Sequence, residues 1–300
     1  MIHHTTRSQT MASKATPAKN APAKKAPAKK AAAKKGTKFK ASDFICNLVP
    51  STGTESDWNF ANSVESGALT ALQAPPASVD LRAPWWAIDN QEQTGSCVGW
   101  ATAEGVGRYH MQQASKITTM QLLSARYVWM ASKETDTITT RPESFVEGAG
   151  TTLKAAVEIG RKYGLALEAE LPFHIQTAMF SGNENTFFAS CAQRRFASYF
   201  NLQKNLANWK VWLASNGPIL AGLSVEASWD NARATGGNID TFQPSTVRGG
   251  HAIAVVGYKT DGRFIVRNSW GTGWGDQGFG YVSPDYINAG FFGESYGVTL

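Results

Sequence analysis

The chain has 300 residues, 42% apolar and 17% charged, a balance that builds a globule with a sizeable core and excludes a disordered polymer or a membrane-embedded chain. No apolar run approaches the ~20 residues that a bilayer span needs. The one apolar patch near the start, "FICNLVP" at 44–50, is too short and too late for a secretory core, so the expectation is a cytoplasmic protein. The net charge of +6 hides two unlike parts: residues 1–40 carry ten lysines and Arg7 with no acid, which leaves −5 on residues 41–300.

In chain order, the first part is a basic arm. From Thr16 it repeats in fives, "TPAKN", "APAKK", "APAKK", "AAAKK", with Pro17, Pro22 and Pro27 interrupting any helix. Nothing in it can form a core, so residues 1–40 are expected to be disordered. Its lysines suit nucleic acid or another anionic surface through residues 11–40, or simply a solubilising tail. Residues 41–78 form an extension. "SDWNFANSVESGAL" predicts a short helix capped at Ser56 or Asp57 and ended near Gly67, and "QAPPAS" an extended joint before Val79. This extension either lies across a cleft as an inhibitory strap or packs on the back of the globule.

The globule proper is expected over 79–300. A buried helix is predicted from Cys97 to about Gln113, where Gly99, Ala101, Ala103, Gly105 and Gly107 allow close approach. Further helices are predicted at about 120–132, at 152–163 with Gly164 as the stop, and at 208–216 before Gly217-Pro218. Then the texture changes. "ILAGLSV", "HAIAVVGY", "RFIVRNSW" and "GFGYVSP" are short, β-rich and separated by glycine-rich turns. A helical half followed by a strand-rich half predicts an α+β fold with a cleft where the halves meet.

Three cysteines, Cys46, Cys97 and Cys191, show no metal-like spacing and no disulfide framework. No metal and no cofactor is expected. Cys97 stands where a turn enters a helix, a position that favours the thiolate form. An attacking thiolate also needs a histidine. His3 and His4 lie in the arm, His110 is thirteen residues along the same helix, about 20 Å away, and His174 has no distinctive context. That leaves His251 in "GGHAIAVVGYKTDGRFIVRNSW". The apolar runs around "KTDG" predict an antiparallel hairpin turning near Lys259–Thr260, which brings position 251 opposite 268 within a residue or two. Position 268 is Asn268, whose side-chain oxygen can accept the imidazole N–H and fix its tautomer.

"NQEQTGSCVGWA" and "GGHAIAVVGY…RNSWGTGWGDQGFGYV" resemble the two signature regions of papain-like cysteine peptidases, over roughly Val79 to Val282. The resemblance implies a helical left half whose central helix starts at the catalytic cysteine, an antiparallel β-barrel-like right half and a cleft between them. It implies a thiol peptidase with Cys97 as nucleophile, His251 as acid and base, Asn268 orienting His251 and Gln91 in the oxyanion hole. It also assigns Trp270 as a shield of the His–Asn contact, Trp274 to the primed-side wall, and substrate contacts to Gly250 and to Gly148 or Gly150 in "EGAG". The implied partner is a peptide or protein substrate; an exopeptidase or amidase on the same scaffold is the alternative, as is a nucleic-acid-associated protein acting through the arm. Thr94 stands where secreted members carry a cysteine, and Val98 where the family has a tryptophan. The family's usual disulfides are therefore not expected.

Overall fold

A computed structural model describes residues 39–70, 74–139, 147–174 and 183–300. The expectation of a disordered basic arm falls, apart from Phe39 and Lys40, outside the described residues.

The helical half comes first. α1 (Phe60–Glu65) starts at Asn59, whose side chain accepts from the Asn62 N–H, rather than at Ser56 or Asp57, which belong to or follow a 3-10 turn at Thr54–Ser56. A two-residue strand, β1 (Val79–Asp80), follows. The central helix runs from Cys97 to Gln113 as expected, in three pieces: α2 (Cys97–Thr102), a π-helical turn at Ala103–Gly107, and α3 (Arg108–Gln113). Its small residues serve packing: a Cβ on Gly99 would lie 2.2 Å from the Ala125 carbonyl oxygen, and one on Gly105 2.9 Å from the Ala254 Cβ. α4 (Ala125–Thr135) begins later than the pattern suggested because the Ser124 side chain accepts from the Tyr127 N–H and sets the start there. α5 (Leu153–Lys162) is capped by Thr152, and Gly164 beyond its end adopts φ +95° with a would-be Cβ 1.9 Å from the Cys191 carbonyl oxygen. α6 (Glu184–Ala192) has no counterpart among the sequence expectations.

The second half is built on one sheet. Its strands are β2 (Ser198–Asn201), β3 (Ile219–Val225), β4 (Asn238–Ile239), β5 (Gly249–Tyr258), β6 (Phe264–Arg267), β7 (Phe279–Val282) and β8 (Phe291–Thr299). α7 (Leu206–Ser215), α8 (Ala227–Asp230) and α9 (Pro284–Gly290) intervene. The order is β2-β8-β3-β5-β6-β7-β4, with β1 added to β5. Every pairing is antiparallel except β4 with β7. The expected barrel-like closure is corrected here. Among the described residues β2 pairs only with β8 and β4 only with β7, so the sheet is open, although bulges near Gly222 and Val256 bend its long strands.

Two apolar clusters flank the sheet. One holds Cys97, Val98 and Val106 of the central helix against Ala252, Ala254 and Val256 of β5. The other holds Trp209, Trp212, Trp229, Trp270 and Trp274. The long strand β5 contributes to both, and it overruns β6: Ala254 pairs with Arg267, while Gly249–Ile253 pair with β3 alone. The residues at the two open ends, His251 and Asn268, therefore meet beyond the last β5–β6 rung.

Candidate active site

Cys97 is the first residue of α2 and His251 lies on β5; both side chains are fully buried. The backbone N–H groups of Ala252, the residue after His251, of Val98 and of Cys97 itself all act to lower the Cys97 thiol, against the larger effect of burial. Cys97 and Ala252 share one apolar cluster, which packs the helix start against the histidine strand. His251 Nε2 lies 2.7 Å from Asn268 Oδ1. The Ser269 N–H also donates to Asn268 Oδ1, at 2.8 Å, which identifies this atom as the oxygen and so places the ring hydrogen on Nε2. His251 Nδ1 is left buried with no hydrogen-bond partner among the described residues. The Trp270 ring covers the imidazole at a centroid distance of 4.9 Å.

Gln91 is buried in the turn before α2. Its side-chain nitrogen donates to the Thr94 and Ile45 carbonyl oxygens at 3.0 and 3.3 Å. Its side-chain oxygen accepts from the Ser269 hydroxyl at 2.8 Å, and its backbone N–H donates to the Ser269 carbonyl. Ser269 thus ties the Gln91 turn to the Asn268 segment; sequence reasoning passed over it, although it sits inside the "RNSWG" signature. Thr94, in the place of the absent cysteine, bonds the Gln91 carbonyl and the Ser96 hydroxyl.

Residues 39–50 run through this site. Phe39 packs on Gly273, and the Phe44 ring stacks on Trp270 at 4.9 Å. Ile45 presents its carbonyl to Gln91. A Cβ on Gly249 would fall 1.9 Å from the Cys46 carbonyl oxygen. Asn47 donates from Nδ2 to the Gly148 carbonyl, and its own carbonyl oxygen would be 2.1 Å from a Cβ on Gly150. Leu48 donates to the Gly250 carbonyl and Val49 to that of Thr151, at 3.0 and 3.3 Å. The Leu48 side chain, 4% exposed, fills the room left by Gly222, where a Cβ would be 2.7 Å from its Cδ2. Arg248 clamps the segment by donating to the Ala41 and Phe44 carbonyls while paired with Asp230. The Ser51 N–H ends the run on Glu294 Oε1 at 2.6 Å.

Gly148, Gly150 and Gly250 all face this strap, so both glycines left open in "EGAG" touch the same residue, Asn47. Trp274 is buried beside Trp229 and donates to its carbonyl at 3.0 Å, away from the strap contacts made by Trp270. Arg248 and Glu294, which anchor the strap, carry no motif and were not singled out. Burial dominates the electrostatics: it pushes the Cys97 thiol up to about 11 and the His251 imidazole down to about 4. Arg248 adds to the lowering of His251, and Asn268 opposes it. Both shifts favour the neutral form of the group, the direction that burial imposes on a thiol and on an imidazole. Cys46 is pushed up to about 12, again by burial first. All three cysteines are free. Among the described residues no group of His, Cys, Asp and Glu side chains is arranged to hold a metal ion, and no helix is long and apolar enough to cross a membrane.

Residues 75–292 match the model of the papain family cysteine proteases. Cathepsin J of Rattus norvegicus is 30% identical over 212 residues, covering 67% of this chain and 58% of the relative, so the chain spans little more than half that protein's length. Macrodontain-1 of Ananas macrodontes is 25% identical over 223 residues, which are 72% of this chain and 93% of the relative. Among solved structures, xylellain, a cysteine protease from Xylella fastidiosa, superposes with a TM-score of 0.68 at 20% identity, over 89% of this chain and 99% of the other. The procathepsin L2 proteinase of Tenebrio molitor does so with a TM-score of 0.62 at 20% identity, over 87% and 80%. With a family match that spans most of its length, this chain belongs to the papain family of cysteine proteases.

Proposed function

We propose that the chain is a thiol endopeptidase and that residues 39–50 hold it latent. The observation that carries both statements is the strap itself. It crosses the site from the Trp270 side to the Thr151 side, which supports a cleft that accepts an extended chain on either side of Cys97. A cleft blocked at one end, as an exopeptidase needs, would not take it.

In the released enzyme the Cys97 thiolate attacks the peptide carbonyl carbon, and the C=O pair moves onto oxygen. The Gln91 side-chain N–H, now leaving the Ile45 carbonyl, and the Cys97 N–H stabilise that oxyanion. His251 then donates the Nδ1 proton to the departing amine as the C–N bond breaks, leaving a thioester. Water attacks the thioester, His251 Nδ1 takes its proton, and the carboxylic acid leaves as the thiolate is restored. Asn268 keeps Nε2–H occupied throughout, so that Nδ1 is the nitrogen that exchanges protons.

On this reading a substrate lies with its N-terminal half along the Gly148–Gly150 wall and its C-terminal half toward Trp270. The strap runs the other way. Its N-terminal half lies at Trp270 and Gly273, and its C-terminal half at Gly148 and Gly150. The Ile45 carbonyl reaches Gln91, but with the chain reversed its amide nitrogen is not where His251 protonates a leaving group. The strap occupies the cleft without being cut.

The test uses internally quenched peptides blocked at both termini. Cleavage by the intact chain that rises when a strap contact is weakened, and that is absent in Cys97→Ala, is expected. Cleavage confined to peptides with a free terminus refutes the endopeptidase reading, and full activity in Cys97→Ala refutes the nucleophile.

A further inference from the structure

Beside Asn268 lies a small cavity whose polar lining is Asp89, Trp100, Glu104, Arg267, Asn268 and Ser269, with room for about one water molecule. Most of its polar lining is already paired. Glu104 accepts from the Leu123 N–H and from Arg108. Arg267 donates to the Trp86 and Ala87 carbonyls, and the Ser269 hydroxyl to Gln91. Three buried atoms remain without a partner: Asp89 Oδ2, Trp100 Nε1 and Asn268 Nδ2. Two are donors and one is an acceptor. A water molecule, accepting twice and donating to a carboxylate, is their complement.

We propose that one ordered water sits in this cavity, bridging Asn268 Nδ2 and Trp100 Nε1 to Asp89 Oδ2, and that Asp89 is through it a positioning residue for His251. Asp89 is well fixed for this task. Its carbonyl accepts from the Gly271 N–H at 3.0 Å, and Asn90 bridges to Trp270, so it rides on the segment that carries Asn268. The charges facing it are Arg267, Arg108, Glu104 and Glu168, and burial holds its carboxyl above the ordinary carboxylate range while the two arginines oppose the rise.

The chain of effects is electrostatic. A water anchored by a carboxylate is a stronger acceptor for Asn268 Nδ2–H. Drawing on that N–H polarises the amide and makes Oδ1 a better acceptor for His251 Nε2–H, as in other linked hydrogen bonds. An imidazolium donates more strongly than a neutral imidazole, so the water–Asp89 pair favours the thiolate–imidazolium form of Cys97 and His251. It also bars rotation of the amide, which would turn Nδ2 toward the imidazole.

Two measurements on the full chain test this. A high-resolution crystal structure is expected to show one water within hydrogen-bond distance of all three atoms; an empty or apolar-filled cavity overturns the proposal. The second is the pH profile of Cys97 alkylation by iodoacetamide in wild type, Asp89→Asn and Asp89→Leu. Asp89→Asn keeps an acceptor but loses the charge, and Asp89→Leu loses both. The expected slowing at pH 6–7 is ~3-fold for the first and ~10-fold for the second, the range of one net hydrogen bond. All three rates converge above pH 10, where the thiolate forms without an imidazolium. Strap opening enters each rate alike and cancels in the ratios. Equal slowing at every pH, or none, means a merely structural role and overturns the assignment. Asp89→Asn, nearly isosteric, keeps the test valid if Asp89→Leu fails to fold. The inference rests on the thiol peptidase reading, and the two failures are distinguishable. If that reading fails, the wild-type profile itself has no neutral-pH arm; if only the proposal fails, that arm survives in Asp89→Leu.

Discussion

Leu48→Ala is the substitution that most directly separates a strap from a segment that merely completes the fold. The Leu48 side chain is 4% exposed and sits in the space that Gly222 leaves open, with Phe292 closing the same space from β8. In the released state it is in water. Burying a leucine is worth ~2–3 kcal/mol, and truncation removes most of that from the strapped state alone. At a tenfold change per ~1.4 kcal/mol, the fraction of open chains rises ~30- to ~150-fold, until opening ceases to limit the rate. Steady-state hydrolysis of a blocked, quenched peptide by the intact chain rises by the same factor, with mass spectrometry confirming that residues 39–50 are still attached. Leu153→Ala is the control. Leu153 is fully buried in α5, so this variant loses a comparable amount of stability and gains no activity. If Leu48→Ala is no more active than wild type, or if both variants gain alike, the strap does not gate the cleft and the reasoning fails.

The remaining predictions concern the anchors and charges of the same site. Arg248→Gln gives up two charge-assisted bonds to the strap carbonyls, and is expected to raise the intact chain's activity ~10-fold or more in the same assay; no change would assign Arg248 to Asp230 alone. Gln91→Ala in the Leu48→Ala background is expected to lower kcat by ~10²–10³ with little change in KM, because the lost donor serves the oxyanion. Ser269→Ala, which frees the Gln91 side-chain oxygen, should lower kcat less, and an effect on KM alone would count against both assignments. The buried His251 imidazole, held at about 4 against an ordinary 6.5, binds its proton more readily unfolded than folded. Its contribution to stability is complete above pH 6.5 and is lost as pH falls toward 4, by up to ~1.4 kcal/mol per pH unit. Cys97, raised from 9.0 to about 11, acts in the opposite sense, its contribution being lost as pH rises from 9 toward 11. His251→Gln should therefore melt with a shallower loss between pH 7 and pH 5 than wild type; an equal loss would leave buried His110, also lowered to about 4, as the source.

What the sequence made legible was the part of the site that depends on short-range geometry. A turn near Lys259, a strand period of two and the order of the motifs suffice to bring His251 to Asn268. The register differs from simple folding-over, with Ala254 rather than Ala252 opposite Arg267, and the bulge at Val256 takes up part of the difference. Side chains of this length still meet, at 2.7 Å. The helix from Cys97 to Gln113 was legible for a similar reason, since its small residues mark where α4 and β5 press against it. β8 was not. "FFGESYGVTL" has its alternation broken by Gly293 and Gly297, and Gly297 is a glycine because the Trp212 ring occupies the place of its Cβ, 2.1 Å from its nearest atom. The strap was undecidable for a deeper reason. "FICNLVP" is an apolar run like many that pack on the back of a globule, and the feature that assigns it to the cleft is spread over residues distant in sequence. Gly150 lies in the segment before α5, Gly222 on β3 and Gly250 on β5, and none has a positive φ that would require glycine. Each lacks a side chain where the strap lies against it: the would-be Cβ atoms fall 2.1 Å from Asn47 O, 2.7 Å from Leu48 Cδ2 and 2.1 Å from Leu48 O. A glycine with an ordinary backbone is a statement about a neighbour. Only the fold shows that three such statements concern one segment.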